Sequence, residues 1–502
     1  MKNLSAIIGL MLLGLAAQAA PSQPDLLVRA YFAGAPKIAA APNANAFTNE
    51  FTSPEALALR GELATKLSAW LAGSLAANPN QPIPGGAAKL RPLFDDLQQA
   101  EFLLEIHATV GGPETAIAIK LPAARTQLWQ ANLKSFFAKS TFTTSAGWLV
   151  FDSDPSPLNL GEKVTKDLDH LPTDWFTLDI NWLRLAQWHP QFKDLGLPET
   201  QFAVSPVGSE LKVMGKFSFP DKLALKLDPW TIPTNTIHAP FDSFTAVRGF
   251  STWLQAQHWA SAFQLSPSPN ELFVWALPGA VFPTYAAVPV PNSATAISQT
   301  EQHWQAALDE ARAKNELMTS INAELNNNQI EIKGVPFASV RAQALSEPNG
   351  QFLMAELFPN PPSGLPLPQG LLNRLNTKNL VYYHWETTTN RVPQLLQITQ
   401  LGLWLSNHQQ LDGKSVAYKW LRKASSVNGA SETGLTQSGP AEFTLLRQGP
   451  GLFTAFELFA LANWFESPKF PGFELTSTPP LPVSDTPVPA TPAKAPAPKA
   501  SH

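Results

Sequence analysis

Four short stretches recur in the same order in the two halves of this chain, and such a duplication restricts the fold more than any other feature. Val28-Arg29-Ala30-Tyr31 answers Val247-Arg248-Gly249-Phe250, and Ala100-Glu101-Phe102-Leu103-Leu104 answers Asn270-Glu271-Leu272-Phe273-Val274. Thr115-Ala116-Ile117-Ala118-Ile119 answers Thr284-Tyr285-Ala286-Ala287-Val288, and Trp129-Gln130-Ala131 with Leu133 answers Trp304-Gln305-Ala306 with Leu308. The last three pairs are offset by 170, 169 and 175 residues (271−101, 284−115, 304−129). The first is offset by 219 (248−29), which requires a shorter first helical connection in the second half. The expectation is two tandem pseudo-repeats of an α+β fold, each a mainly antiparallel sheet with packed helices.

Local patterns agree with that class. Ser53-Pro54 reads as an N-cap followed by proline at the first helical position. Leu59, Leu63, Leu67, Trp70 and Leu71 follow at helical spacing. Glu101–Val110 and Thr115–Leu121 read as a hairpin around Gly111-Gly112-Pro113-Glu114. Ser298-x-x-Glu301 reads as a capping box opening a long helix through Trp304, Leu308, Ala311, Met318, Ile321 and Leu325, closed by Asn326-Asn327-Asn328. Alternating stretches within Phe202–Phe219 and Gly334–Phe358 suit antiparallel strands. Short regular βαβ units do not occur, which disfavours a doubly wound parallel sheet.

The first twenty residues carry Lys2, an apolar core from Leu4 to Leu15, and Ala17-Gln18-Ala19. That is a signal peptide over 1–19, cleaved before Ala20, and its core is too short for the ~20 residues that span a bilayer. No later run approaches such a length, so no transmembrane segment remains after cleavage, and the expected location is periplasmic or secreted. The expected organisation is a first repeat over 25–227, a turn-rich connection over 228–242, a second repeat over 243–475, and a tail over 476–502. Proline and alanine dominate that tail, which cannot bury enough apolar surface to offset the entropy of ordering. The chain has no cysteine, which removes disulfides, thiolate nucleophiles and Cys-bound metals from consideration. Its 15% charged residues nearly balance, at −4 overall, and form no basic stripe for a nucleic acid.

Three stretches resemble an uncharacterised family of exported verrucomicrobial proteins. They are Pro229-Trp230-x-Ile232-Pro233-Thr234-Asn235, Ser243-Phe244-Thr245-Ala246-Val247-Arg248-Gly249 and Tyr382-Tyr383-x-Trp385-Glu386-x-Thr388. Thr454-Ala455-Phe456-Glu457-Leu458 followed by Trp464 fits the same pattern. The likeness spans roughly 170–475 and implies an origin without a mechanism.

Chemical motifs are sparse. The nine histidines form no His-Glu-x-x-His or His-x-His pattern. Asp167-Leu168-Asp169-His170 is the one tight group of ligand types, and a solvated charged turn near a helix end is its plainer account. Gly249-Phe250-Ser251-Thr252-Trp253 lacks the final glycine of a nucleophile elbow. A hydrolase would therefore have to use carboxylates, with Glu101, Glu105, Asp179, Glu271, Glu331 and Glu386 on candidate strands. No metal or cofactor is expected. Arg29 and Arg248 lie on apolar strands, where an unpaired charge is costly. The repeat therefore predicts a structural ion pair in each half, Arg29 with Glu101 and Arg248 with Glu271. Trp182, Trp188 and Trp230 lie beside turn formers and are candidate sugar-stacking rings, whereas Trp70, Trp129, Trp253, Trp304 and Trp420 fall at core spacing. The resulting expectation is a non-enzymatic envelope protein that binds a glycan, a lipid or a protein between its halves. An envelope hydrolase using paired carboxylates and a purely structural surface protein are the alternatives.

Overall fold

The computed structural model describes residues 25–471 apart from 42–50, 76–82, 156–157, 189–195, 256–264, 266, 280–281, 315–320, 327, 335–338, 360–364, 408–411, 427–428 and 469. The expected signal peptide over 1–19 and tail over 476–502 lie outside these residues. The class is mixed α+β with one large antiparallel sheet.

The first eight strands are β1 (Leu26–Phe32), β2 (Phe102–Thr109), β3 (Gly112–Lys120), β4 (Thr141–Ser145), β5 (Trp148–Asp152), β6 (Phe176–Ile180), β7 (Glu199–Val207) and β8 (Glu210–Ser218). After residues 219–242, which hold neither helix nor strand, come β9 (Ser243–Arg248), β10 (Glu271–Ala276), β11 (Thr284–Val290), β12 (Asn322–Asn326) and β13 (Gln329–Lys333). The last five are β14 (Val340–Glu347), β15 (Gly350–Leu357), β16 (Leu380–Thr387), β17 (Ala430–Gly439) and β18 (Glu442–Gly449). Every pairing is antiparallel, and the spatial order is β4-β5-β3-β2-β1-β6-β7-β8-β18-β17-β16-β9-β10-β11-β15-β14-β13-β12. The β8–β18 ladder therefore joins the first half of the chain to the second.

Alternation along the strands decides what covers each face. In β3, Ala116 and Ala118 meet Leu160 and Val164 of helix α5 (Leu160–Asp167). Ile117 and Ile119 point the other way, into a cluster with helices α2 (Pro54–Ser74), α3 (Gly86–Leu97) and α4 (Ala123–Lys134). This part of the sheet is thus covered on both sides. In β18, Phe443, Leu445 and Arg447 are buried, whereas Thr444, Leu446 and Gln448 are exposed, so the central ladder has one open face. Helix α2 also packs with α10 (Thr388–Asn407), α11 (Val416–Ser425) and α12 (Ala455–Glu466), tying distant segments together.

Three local expectations are corrected. The helix expected from Ser298 begins earlier, in α8 (Ser293–Lys314), where the Asn292 side chain accepts from Thr295 N at 2.9 Å. Leu325 lies in β12, which pairs with β13 around Asn328, whose φ is 62°. Met318 lies outside the described residues. A polar tract that can end a helix can equally turn a hairpin, since Asn tolerates positive φ. Trp70, expected on a core stripe, is 51% exposed, because α2 buries Ala56, Leu59, Ala64, Ser68 and Ala72 instead. The turn before β3 is Val110-Gly111, and Pro113 already belongs to the strand.

Candidate functional site

Four residues far apart in sequence stand side by side on one face of the second half. Trp275 on β10 is opposite Tyr285 on β11, Tyr285 is opposite Glu356 on β15, and Glu356 is opposite Arg341 on β14. The next row on that face is Phe273, Ala287, Met354 and Gln343. The Trp275 and Tyr285 rings stack at 5.3 Å and 12°. Glu356 is buried and accepts from Arg341 Nε at 2.9 Å, from Arg341 Nη2 and from Gln343 Nε2. This charge-assisted fork is strong and leaves the wall formally neutral.

The segment joining the halves closes the site from above. Glu347 accepts from the Asn235 amide at 3.0 Å and from the Thr236 hydroxyl. Ile237 is fully buried. The His238 ring bonds the Leu365 carbonyl through Nδ1 at 3.2 Å. A carbonyl only accepts, so Nδ1 carries the proton and Nε2 is left as an acceptor in the neutral ring. Between strap and sheet lies a cavity of about 200 Å³, lined by Asn235, Thr236, His238, Trp275, Leu277, Tyr285, Arg341, Gln343, Leu345, Met354 and Glu356. All these residues come from the connection or the second half. The described cavity lies beneath the connection, where that segment folds back over one sheet.

A second polar group lies on the first half. Glu105, Arg29, Asp179 and Gln201 form one row across β2, β1, β6 and β7. Glu105 is fully buried, with Arg29 Nε at 3.3 Å, His107 Nε2 at 2.9 Å and Lys163 Nζ of α5 at 2.9 Å. Burial alone would raise its pKa, but the His107 hydrogen bond and the Arg29 and Lys163 charges together outweigh it and hold the carboxyl at about 2. Asp179 is pushed up to about 6 by burial and the Glu105 charge, against the pull of Arg29. Among the described residues, no hydrogen-bond donor reaches the buried acceptors Asp179 Oδ1 and Gln201 Oε1. Nearby, Leu160 N and Gly161 N at the start of α5 donate to Glu114 at 3.1 Å and Asp152 at 2.8 Å.

The expected ion pairs are redrawn by strand register. Arg29 is opposite Glu105, not Glu101, and its Nη2 also donates to Asp167 at 3.0 Å. Glu101 accepts from Tyr31 at 2.8 Å and Lys37 at 3.3 Å, with Lys120 at 3.5 Å. Arg248 is opposite Glu271, yet the described bonds include no direct ion pair between them. Arg248 donates to the Leu380 and Asp228 carbonyls and lies 4.5 Å from the Trp230 ring centroid. Glu271 accepts from Thr231 N at 2.8 Å. Burial lowers the arginine pKa and raises that of the glutamate.

Trp182 and Trp230, the candidate rings among the described side chains, have separate surroundings. Trp182 opens helix α6 (Trp182–Trp188) and is 9% exposed. Trp230 packs on Arg248 and on Phe273 at 5.7 Å. The Trp188 side chain lies outside the described residues. Of the other carboxylates, Glu331 is opposite Arg341 and Glu324. Glu386 accepts from His384 at 3.1 Å, from Thr388 at 2.8 Å and from Ala455 N. Asp167-Leu168-Asp169-His170 joins no metal-ligating group among the described residues. Sequence reasoning missed Trp275, Tyr285, Arg341, Gln343 and Glu356, and their only signal is alternation within four separate strands.

No family model matches the sequence, and no curated protein matches it. A solved structure titled "Structure of crystal form I of TP0453" aligns with 48% of this chain and 100% of its own, at 9% identity and a TM-score of 0.22. A likeness that low carries no inference.

Proposed function

We propose that this is an exported, non-enzymatic binding protein of the cell envelope, made of two related halves, with the cavity beneath the connection as its ligand site. One observation carries the ligand site. Aromatic and aliphatic side chains converge there with a small polar set, the usual composition of a ligand pocket. Export rests on the signal-like first twenty residues, and descent from the verrucomicrobial family on the three sequence stretches.

The strand order supports duplication. Outward from the β8–β18 ladder, one side runs β8-β7-β6-β1-β2-β3-β5-β4 and the other β18-β17-β16-β9-β10-β11-β15-β14, with β13 and β12 added. Under this reading Phe102 answers Leu272, an offset of 170 (272−102), and their partners Phe32 and Val247 are offset by 215 (247−32). The Arg29–Arg248 match, offset by 219, is then out of register by four residues. That slip accounts for the misplaced ion pair.

A hydrolytic reading has one favourable observation, the opposite pKa shifts of Glu105 and Asp179, since divergent carboxylates can divide acid and base roles. Arg29 stands between them in the ladder, where a substrate bond would have to lie, so binding is the better-supported reading. The test is a thermal-shift panel on the mature chain with sugars, fatty acids, peptides and cell-wall fragments. A ligand at 100 times its Kd adds about 2.7 kcal/mol. A shift that vanishes in Leu345→Trp, which fills the cavity, supports the proposal, while shifts unaffected by that change refute the site.

A further inference from the structure

We infer that the cavity holds a single neutral saccharide unit, free or at the end of a glycan. This rests on the cavity being the ligand site. Its charge and bonding capacity point the same way, and its size is compatible.

Glu356 compensates Arg341 at close range, so no net charge is offered to an anion or a cation. A charged ligand would have to leave water for a wall whose charges are already satisfied, and desolvation would go uncompensated. A hydroxyl-rich ligand escapes that cost.

The remaining polar groups suit hydroxyls. Arg341 uses Nε and Nη2 on Glu356, and its Nη1 makes no bond among the described residues. Gln343 uses its amide nitrogen on Glu356, leaving Oε1 as an acceptor. In a neutral ring His238 Nε2 is a second acceptor, and the Asn235 side chain offers both functions. A hydroxyl donates and accepts at once, so it can satisfy such a mixed set. Trp275, Leu277, Tyr285, Leu345 and Met354 supply the apolar surface that the C–H face of a sugar ring requires.

Size is compatible with the same ligand. About 200 Å³ has room for one six-membered ring, whereas a long acyl chain would have to project from the open side. The stacked, buried Trp275–Tyr285 pair makes a fixed floor that side-chain motion does not readily deepen.

The experiment is isothermal titration calorimetry of the mature full-length chain with glucose, galactose, N-acetylglucosamine, glucuronate and octanoate. A neutral sugar should bind at one site, at least tenfold tighter than glucuronate, with no heat from octanoate. Gln343→Leu, which also releases one bond from Glu356, should weaken that sugar at least tenfold, and Leu345→Trp should abolish it. Circular dichroism and melting temperature confirm that each variant folds, and Gln343→Leu alone decides if Leu345→Trp does not. Tighter binding of glucuronate or octanoate, lost in the same variants, overturns the saccharide assignment and leaves the ligand site standing. Neutral-sugar binding indifferent to both variants, or no binding by any probe, overturns the ligand site as well.

Discussion

Replacing Asp179 by Asn should stabilise the protein at alkaline pH and do nothing in acid. The carboxyl is raised from 3.8 to about 6, so the folded state holds this proton more tightly than the unfolded chain does. Its contribution is fully present below the unfolded pKa and is lost as pH rises through about 6. A shift of roughly two units corresponds to about 3 kcal/mol at ~1.4 per unit, and the residual exposure of Asp179 brings this nearer to about 2. Asn mimics the protonated acid and can donate to Gln201 Oε1, which no donor among the described residues reaches. Arg29 keeps Glu105 and Asp167, while Lys163 and His107 on the far side of Glu105 are undisturbed. Urea melts at pH 4, 6 and 8 should show Asp179→Asn equal to wild type at pH 4 and about 2 kcal/mol more stable at pH 8. A pH-independent difference, or a variant less stable at pH 8, would refute the reasoning. The latter would mean that the attraction between Arg29 and Asp179 exceeds the burial cost.

Two further substitutions probe the framework. Gly34 has φ 85°, and a Cβ there would lie 2.8 Å from the Glu101 backbone nitrogen. Gly34→Ala should cost about 2 kcal/mol or more in chemical denaturation, through both positive φ and backbone collision. Arg447 and Glu457 form a buried fork with two 2.7 Å bonds. Arg447→Met should cost about 3–5 kcal/mol by stranding the carboxylate. Adding Glu457→Gln should recover part of that loss in a double-mutant cycle, while keeping an acceptor for the Thr454 amide.

Much of the local structure could be read from local chemistry. Ser53 caps α2 by accepting from Ala56 N at 3.2 Å, because a hydroxyl before Pro54 has that amide within reach. The hairpin of β2 and β3 follows from alternation around glycine, and its register sets Phe102 against Ile119. The apolar pattern around Arg248 also pointed away from open solvent, and the residue is 6% exposed. That pattern could not say that backbone carbonyls and Trp230 would take up the arginine's donors.

The mixed α+β class, the Ser53 cap, the pairing of β2 with β3 and the absence of cysteine chemistry were determined by the sequence alone, because each depends on composition or on neighbours a few residues apart. Tertiary structure decided the rest. Strand pairing sets Arg29 against Glu105, 76 positions away (105−29), and a four-residue change of register would have selected Glu101 instead. The cavity depends on the same kind of information. Trp275, Tyr285, Arg341 and Glu356 share one row only because β10, β11, β15 and β14 lie in that order, and the strap covers them only because Glu347 holds Asn235 and Thr236. Periodicity gives the face on which a residue lies; which residues meet across that face is fixed by ladder register and by the packing of segments distant in the chain.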